Sequence, residues 1–398
     1  MQITQNITDD ILYIGSSDRR LSRFENLFPL TNGVSYNNYL ILDEKTALMD
    51  TSDNSVADRF LENLYASLNG RTLDYLVIQH LEPDHSSMIA TVLQKYPQVT
   101  IVSSRQGFTI LGQFFPGFPV DNKIEVKEGD CLPLGKHTLH FIQAPMVHWP
   151  EVIMTYDETD KVLFSADAFG TFGAVDGSVF ADDHDFETEY LAEARRYYAN
   201  IVGKYGVQVQ NVLKKAAGLD IRFLCPLHGP VWRKDIGWFL DKYQKWSLYE
   251  PESNDILLVY GSLYGHTACA AEAAAAEITD KSGCKVAVYD VSGTDVSWLI
   301  SEVWRCGRIV IFCPTYNAGI YPKMENFISD MAALNVQNRV FALAENGSWA
   351  PMAAKLMSEK LSGLKNVTIL DTKLTIRSSL SEKDAPALGA FTDAVAKA

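Results

Sequence analysis

From Ile256 onward the chain alternates short apolar runs with amphipathic stretches, a rhythm that few folds accept. Ile256–Tyr260, Lys285–Tyr289, Arg308–Cys313, Arg339–Ala344 and Thr368–Thr372 read as strands. His266–Ser282, Val296–Cys306, Tyr321–Leu334, Ala350–Leu361 and Glu382–Ala396 read as the helices that follow them. Five β-α units of this length predict a doubly wound parallel α/β sheet.

The first half obeys a different grammar. Short strands at Ile11–Ile14, Val34–Leu42 and Thr46–Asp50 precede helices at Ser55–Leu68 and Ser86–Lys95. Ile124–Val126 and Thr138–Gln143 straddle the turn Leu134-Gly135-Lys136. A helical zone, Glu187–Ala217, leads to the strand Arg222–Cys225. Hairpins mixed with helices predict an α+β sandwich covered by helices. The polar stretch from Tyr249 to Asp255, with its proline, marks the join. The expected domains are therefore 1–250 and 251–398, and 398 residues suit two cores better than one.

Within the first half, the apolar run Leu73 to Gln79 opens into His80-Leu81-Glu82-Pro83-Asp84-His85. An extended segment sends alternate side chains to one side, so His80, Glu82 and Asp84 are expected to converge. Two imidazoles and two carboxylates crowd together only around a cation. His148, Asp167 and His228 each lie where an apolar strand runs into a loop, the usual place for a site on a rigid scaffold. A single histidine is more often structural than a ligand. Here four of eight fall in one pattern, leaving His137, His140, His184 and His266 outside it.

In the second half, the loop Ser262, Leu263, Tyr264, Gly265, His266 and Thr267 joins the first strand to the first helix. Hydroxyls and free backbone N–H groups at a helix start make an anion cradle. The loop has neither G-x-G-x-x-G nor a P-loop lysine. Two more loops follow strands: Pro314, Thr315, Tyr316, Asn317, Ala318 and Gly319, then Asn346, Gly347, Ser348 and Trp349. Such sheets bind ligands at the carboxyl ends of their strands. Tyr316 and Trp349 offer aromatic cover for a planar ring.

The pattern H-x-E-x-D-H with His148, Asp167 and His228 resembles the metallo-β-lactamase fold, whose hydrolases carry H-x-H-x-D-H. Glu82 stands where those hydrolases have a histidine, which shifts the expected metal from zinc toward iron or manganese. The resemblance implies Asp167 as a bridge, with His80, Glu82 and His148 on one metal. Asp84 and His228 take the other, with His85 either a ligand or turned away. The loop at Ser262, Gly265 and Thr267 is similar to the flavodoxin phosphate loop, T/S-x-T-G-x-T.

Together the two halves resemble the flavodiiron proteins, in their minimal two-domain form. That resemblance implies a metallo-β-lactamase-like αβ/βα sandwich with a diiron centre and a flavodoxin-like domain with FMN. It implies reduction of dioxygen to water, of nitric oxide to nitrous oxide, or of both. It implies a head-to-tail homodimer or a dimer of dimers, and an external electron donor, either rubredoxin or a reduced deazaflavin. A pocket histidine of the family is replaced here by Glu25, expected either to donate protons or to point to solvent. Tyr197 or Tyr198 matches a pocket tyrosine. The rival expectations are a dizinc hydrolase with a flavodoxin-like appendage, or a flavin-bearing carrier with an emptied metal site.

Composition narrows the setting. A net charge of −14 argues against nucleic acid as a partner. No apolar run reaches a membrane span, and the N-terminus lacks the basic and apolar regions of a signal peptide. Six scattered cysteines without a Cys-x-x-Cys pair suit a cytoplasmic protein with reduced thiols.

Overall fold

The computed structural model describes residues 4–117 and 119–398. The chain divides into two compact units, one of residues up to 198 with 207–243, the other of 199–206 with 244–398.

Two sheets make the first unit. The larger runs in the order Gln5–Asn6, Ile11–Tyr13, Tyr39–Leu42, Thr46–Met49, Tyr75–Val77, Thr100–Ser104 and Lys123–Val126. Its first half is antiparallel, and from Thr46–Met49 onward it is parallel. The smaller runs Cys131–Pro133, Thr138–Gln143, Ile153–Asp157, Val162–Phe164 and Phe223–Cys225. Period-two alternation sorts the side chains. Tyr39, Ile41, Ala47 and Met49 meet Leu139, Phe141, Ile153 and Phe164 of the smaller sheet in one apolar cluster. Leu40, Leu48, Leu76 and Ile101 point the other way, onto Phe60, Leu64, Ile89, Val92 and Ile110 of the covering helices. The expected sandwich with helices outside is what forms.

Several boundaries move for physical reasons. Val34–Leu42 is expected as one strand but splits into Val34–Tyr36 and Tyr39–Leu42. Asn37 and Asn38 interrupt it because their side chains bond elsewhere. Asn37 Nδ2 donates to the carbonyls of Pro226 and Gly229 at 2.9 and 2.8 Å, and Asn38 Nδ2 to that of Thr51 at 2.6 Å. Ser104 caps an unexpected helix, Arg105–Phe114, by accepting from the Gly107 N–H. The zone from Glu187 to Ala217 is not one helix. It breaks after Tyr197 into a π-helical turn, Tyr198–Val202, and then a 3-10 turn.

The second unit is a parallel sheet in the order Val286–Asp290, Ser253–Tyr260, Cys306–Tyr316, Val340–Asn346 and Thr368–Ile369. In sequence terms this is 2-1-3-4-5, the flavodoxin-like winding. A last short strand, Leu374–Ile376, also pairs with Val340–Asn346. Helix His266–Ser282 packs Ala270, Ala271, Ala274 and Ile278 on the sheet. Gly283, left-handed at φ 68°, ends it by donating to the Thr279 carbonyl. Among the described residues no helix is long and apolar enough to cross a membrane.

Candidate metal centre and flavin loops

Strand register assembles the metal cluster. Val162–Phe164 and Phe223–Cys225 run parallel with Phe164 opposite Cys225. Asp167 and His228 each lie three residues past that pair, so both emerge at the same edge. His80 lies three residues past Val77 of the other sheet, which pairs with Met49. Asp50, just beyond Met49, accepts from the N–H of Gln79 at 2.7 Å and that of His80 at 3.3 Å. Its carboxyl is fully buried, and that burial pushes it up to about 6.

The expected convergence of His80, Glu82 and Asp84 gives way to two clusters. Pro83 starts a helical turn, Pro83–Ser86, right after Glu82. His80 and Glu82 therefore join His148 and Asp167, while Asp84 and His85 join His228. His148 Nε2 sits 3.0 Å from Glu82 Oε2 and 3.1 Å from Asp167 Oδ2. His80 Nε2 is 3.2 Å from Glu82 Oε2 and 3.5 Å from Asp167 Oδ2. On the other side, His85 Nε2 is 3.1 Å from Asp167 Oδ1 and 3.3 Å from Asp84 Oδ2. His228 Nε2 is 3.2 Å from Asp84 Oδ2 and 3.1 Å from His85 Nε2. Asp167 thus turns one oxygen to each cluster, and His85 faces inward.

The donor set fits cations. His228 Nδ1 lies 2.7 Å from the Ser35 carbonyl, which can only accept, so in the neutral ring that binds metal Nε2 is the lone pair on offer. His80 Nδ1 lies 2.8 Å from the Glu151 carboxylate, which leaves Nε2 to a metal in the same way; without metal, burial would depress this imidazole, but Asp167, Glu151 and Glu82 raise it well above its ordinary value. Both lone pairs point at carboxylate oxygens. Neither oxygen of Asp84, nor Oδ1 of Asp167, receives a hydrogen bond. Buried carboxylates left this way cost several kcal/mol each unless positive charge arrives. Without metal, protons supply it. Burial alone would depress His85 and His148, but the surrounding carboxylates outweigh it and raise both to about 9. Burial would raise Asp167, yet His85, His80 and His148 hold it far below the usual carboxylate range.

A cleft of about 600 Å³ opens beside the cluster, lined by Phe24, Glu25, Asn26, Tyr36, Glu82 and Asp84 among others. Glu25 is pushed up to about 8 by desolvation first, then by repulsion from Glu82, to which it is hydrogen-bonded. Tyr197 packs its ring 5.7 Å from that of His228, and its hydroxyl has no hydrogen-bond partner. Burial first, then Asp167, Asp84 and Glu82, raise that phenol far above its ordinary value. Tyr198 instead packs edge-on against Tyr243 at 4.9 Å.

Sequence reasoning missed Glu151 and Asp50. Glu151 is 2% exposed and takes both the His80 Nδ1 proton and the Leu81 N–H. No spacing rule links it to a hexad some 70 residues earlier. A third group, His137, Asp157 and Asp160, is closed by its own bonds: His137 reaches Asp157 at 3.1 Å and Asp10 at 3.3 Å.

In the second unit, the three loops lie at the carboxyl ends of the first, third and fourth strands. Ser262 Oγ accepts from the N–H of Gly265 at 3.1 Å and of Ala268 at 3.3 Å, which shapes the phosphate-type turn. A Cβ at Gly261 would lie 2.7 Å from the Tyr321 ring, so only glycine fits there. Asn346 Nδ2 donates to Thr267 Oγ1 at 3.2 Å and ties the first loop to the third. Thr315 Oγ1 accepts from Met352 and Ala353 and ties the second loop to the third. Tyr264 and Trp349 are 91% and 88% exposed; Leu263 beside Tyr264, Met352 near Trp349 and Tyr316 on the second loop are exposed as well. Large apolar side chains concentrated on three loops at one end of the sheet mark a surface suited to being covered by a ligand or partner.

Residues 34–229 match the family model described as ODP family beta lactamase, and residues 258–388 match Flavodoxin. A nitric oxide reductase from Moorella thermoacetica is 30% identical over 378 residues, 93% of this chain and 92% of its own. The anaerobic nitric oxide reductase flavorubredoxin of Aliivibrio fischeri is 33% identical over 338 residues, 83% of this chain and 67% of its own. The solved rubredoxin oxygen:oxidoreductase from Desulfovibrio gigas has a TM-score of 0.93 at 27% identity, covering 99% of this chain and 98% of its own.

Proposed function

The chain belongs to the flavodiiron proteins, and from that premise we propose that its paired clusters hold two irons at which dioxygen is reduced to water, nitric oxide to nitrous oxide, or both. Asp167, with one oxygen turned to each cluster, is the observation that carries this reading. His80, Glu82 and His148 hold one iron, Asp84, His85 and His228 the other, and Asp167 bridges. When loaded, two ferrous ions and reduced FMN together supply the four electrons that one dioxygen needs, or the two that a pair of nitric oxide molecules needs.

The chain's own groups do the rest. The cleft beside Glu82 and Asp84 admits a small gas. Glu25, on its wall, is placed to pass protons inward from solvent. The free Tyr197 hydroxyl is placed to donate to a substrate oxygen at the cluster. Of the two tyrosines, Tyr197 takes this role. Ser262, Leu263, Tyr264, Gly265, His266 and Thr267 cradle the FMN phosphate. Pro314–Gly319 and Asn346–Trp349 line its ring, with Tyr316 and Trp349 as covers. The iron domain is 1–250 and the FMN domain 251–398.

The protein takes electrons from a donor. We propose rubredoxin, with a reduced deazaflavin as the alternative, and a head-to-tail homodimer or dimer of dimers in the cytoplasm. A dizinc hydrolase is disfavoured because Glu82 adds a hard, charged ligand and the second unit carries open flavin-type loops. Elemental and flavin analysis of the purified protein tests the reading. Two irons and one FMN per chain, with dioxygen or nitric oxide consumed on reduction, are expected. Two zincs and no flavin would overturn it.

A further inference from the structure

The two clusters are backed by different groups. His80 donates from Nδ1 to Glu151 Oε1 at 2.8 Å. Glu151 is buried, and the same oxygen also accepts from the neutral Leu81 N–H at 2.9 Å. Its second oxygen has no hydrogen-bond partner. His228 donates from Nδ1 to a neutral carbonyl, that of Ser35. His85 Nδ1 has no hydrogen-bond partner. A buried carboxylate therefore accepts directly from the Nδ1 of an imidazole of one cluster, whereas none among the described residues accepts from the Nδ1 of an imidazole of the other, where buried Asp50 acts on His85 only through space.

We propose that Glu151 is a positioning residue that makes the iron at His80, Glu82 and His148 the first of the pair to become ferric. A carboxylate that accepts the imidazole proton fixes the ring's tautomer and gives it imidazolate character, which raises its basicity as a ligand. Extra negative charge in a water-poor site stabilises Fe(III) over Fe(II). Each cluster has one carboxylate of its own and one oxygen of Asp167, so the charges that would touch the two metals balance. Glu151 breaks the balance. Removal of one electron from the diferrous pair then leaves Fe(III) on the Glu151 side and Fe(II) on the other. The arrangement matters because the ferrous ion that remains is the one beside Asp84, His85 and His228.

This inference rests on the diiron reading. The test is a reductive and oxidative titration of iron-loaded protein, with dithionite and ferricyanide, followed by EPR and Mössbauer spectroscopy. Wild type is expected to oxidise in two separate one-electron steps, through a mixed-valence form with distinct ferric and ferrous signals. In Glu151→Gln the lower-potential step moves up and the higher one stays. Removing such a partner usually costs about tenfold to hundredfold in metal affinity; a loss of that size falling on the ferric ion converts to about 60–120 mV at about 59 mV per tenfold. Coincident steps in wild type, or equal movement of both steps in the variant, would overturn the proposal. If the neutral variant does not hold two irons, Glu151→Asp serves, and an unmoved lower step there overturns it too. A wild type that binds only redox-silent zinc would defeat the diiron reading itself.

Discussion

Glu82→Ala separates the two clusters chemically. Glu82 Oε2 lies 3.2 Å from His80 Nε2 and 3.0 Å from His148 Nε2, and it reaches no imidazole of the second cluster. The variant leaves the first cluster two imidazoles and one oxygen of Asp167. Protein sites of four ligands bind a divalent ion with roughly 10–16 kcal/mol, so one ligand in four carries roughly 2.5–4 kcal/mol. At about 1.4 kcal/mol per tenfold, affinity at that cluster falls by roughly 10²–10³. The second cluster keeps Asp84, His85, His228 and Asp167 Oδ1. Iron should drop from two per chain toward one, measured by elemental analysis after equilibration with a competing chelator. FMN, bound in the other unit, should remain at one per chain by absorbance. Gas consumption, followed with an oxygen or nitric oxide electrode, should be lost. A variant that kept two irons and the wild-type rate would refute the ligand assignment.

Four further outcomes are expected. Asp167→Asn neutralises the carboxylate that turns one oxygen to each cluster, so both irons should weaken together, unlike the one-site loss in Glu82→Ala; chelator competition distinguishes them. Trp349→Ala should weaken FMN by about 2- to 13-fold, from the roughly 0.5–1.5 kcal/mol of an aromatic pair, without changing iron content; fluorescence titration of the apoprotein measures it. Iron affinity should climb between pH 6 and 9 by on the order of tenfold per pH unit for each proton displaced, because His85 and His148 hold protons to about 9 and metal must evict them; a flat profile by calorimetry would count against it. His137 is pushed down by burial but raised overall by its bonds to Asp157 and Asp10, so its contribution to stability is complete below about 6.5 and fades as pH rises through the raised value. The melting-temperature loss in His137→Gln should therefore be larger at pH 6 than at pH 10.

How much of the site was legible in the chain depends on where each instruction is written. Alternation from Ile256 onward needs only local periodicity, and helix His266–Ser282 forms within the bounds that periodicity gives. The candidate ligands were legible because four titratable residues cannot share six positions cheaply, and because the others end strands. Their partition into two clusters came only with the family resemblance and could not be read from the spacing. It turns on Pro83, which converts an extended run into a helical turn and sends Asp84 and His85 away from His80 and Glu82. That proline was in plain view, so the failure was one of weighting: extended periodicity was carried one residue too far.

Glu151 is a different kind of failure. A glutamate after Trp-Pro is by default a solvated residue, since glutamates are almost never fully buried unless paired. Only the pairing of Ile153 with Gln143, and the bond from Ser104 Oγ to the Glu151 carbonyl, carry it inward to His80. The same holds for Asn37 and Asn38, whose partners lie up to 192 residues away. Local patterns thus name the groups that touch the metal. The groups that set the properties of those ligands are fixed by tertiary register, and they become readable only once the strands are paired. On the proposed reading, that second layer is what would make the two metal positions unequal, although each has one carboxylate of its own and one oxygen of Asp167.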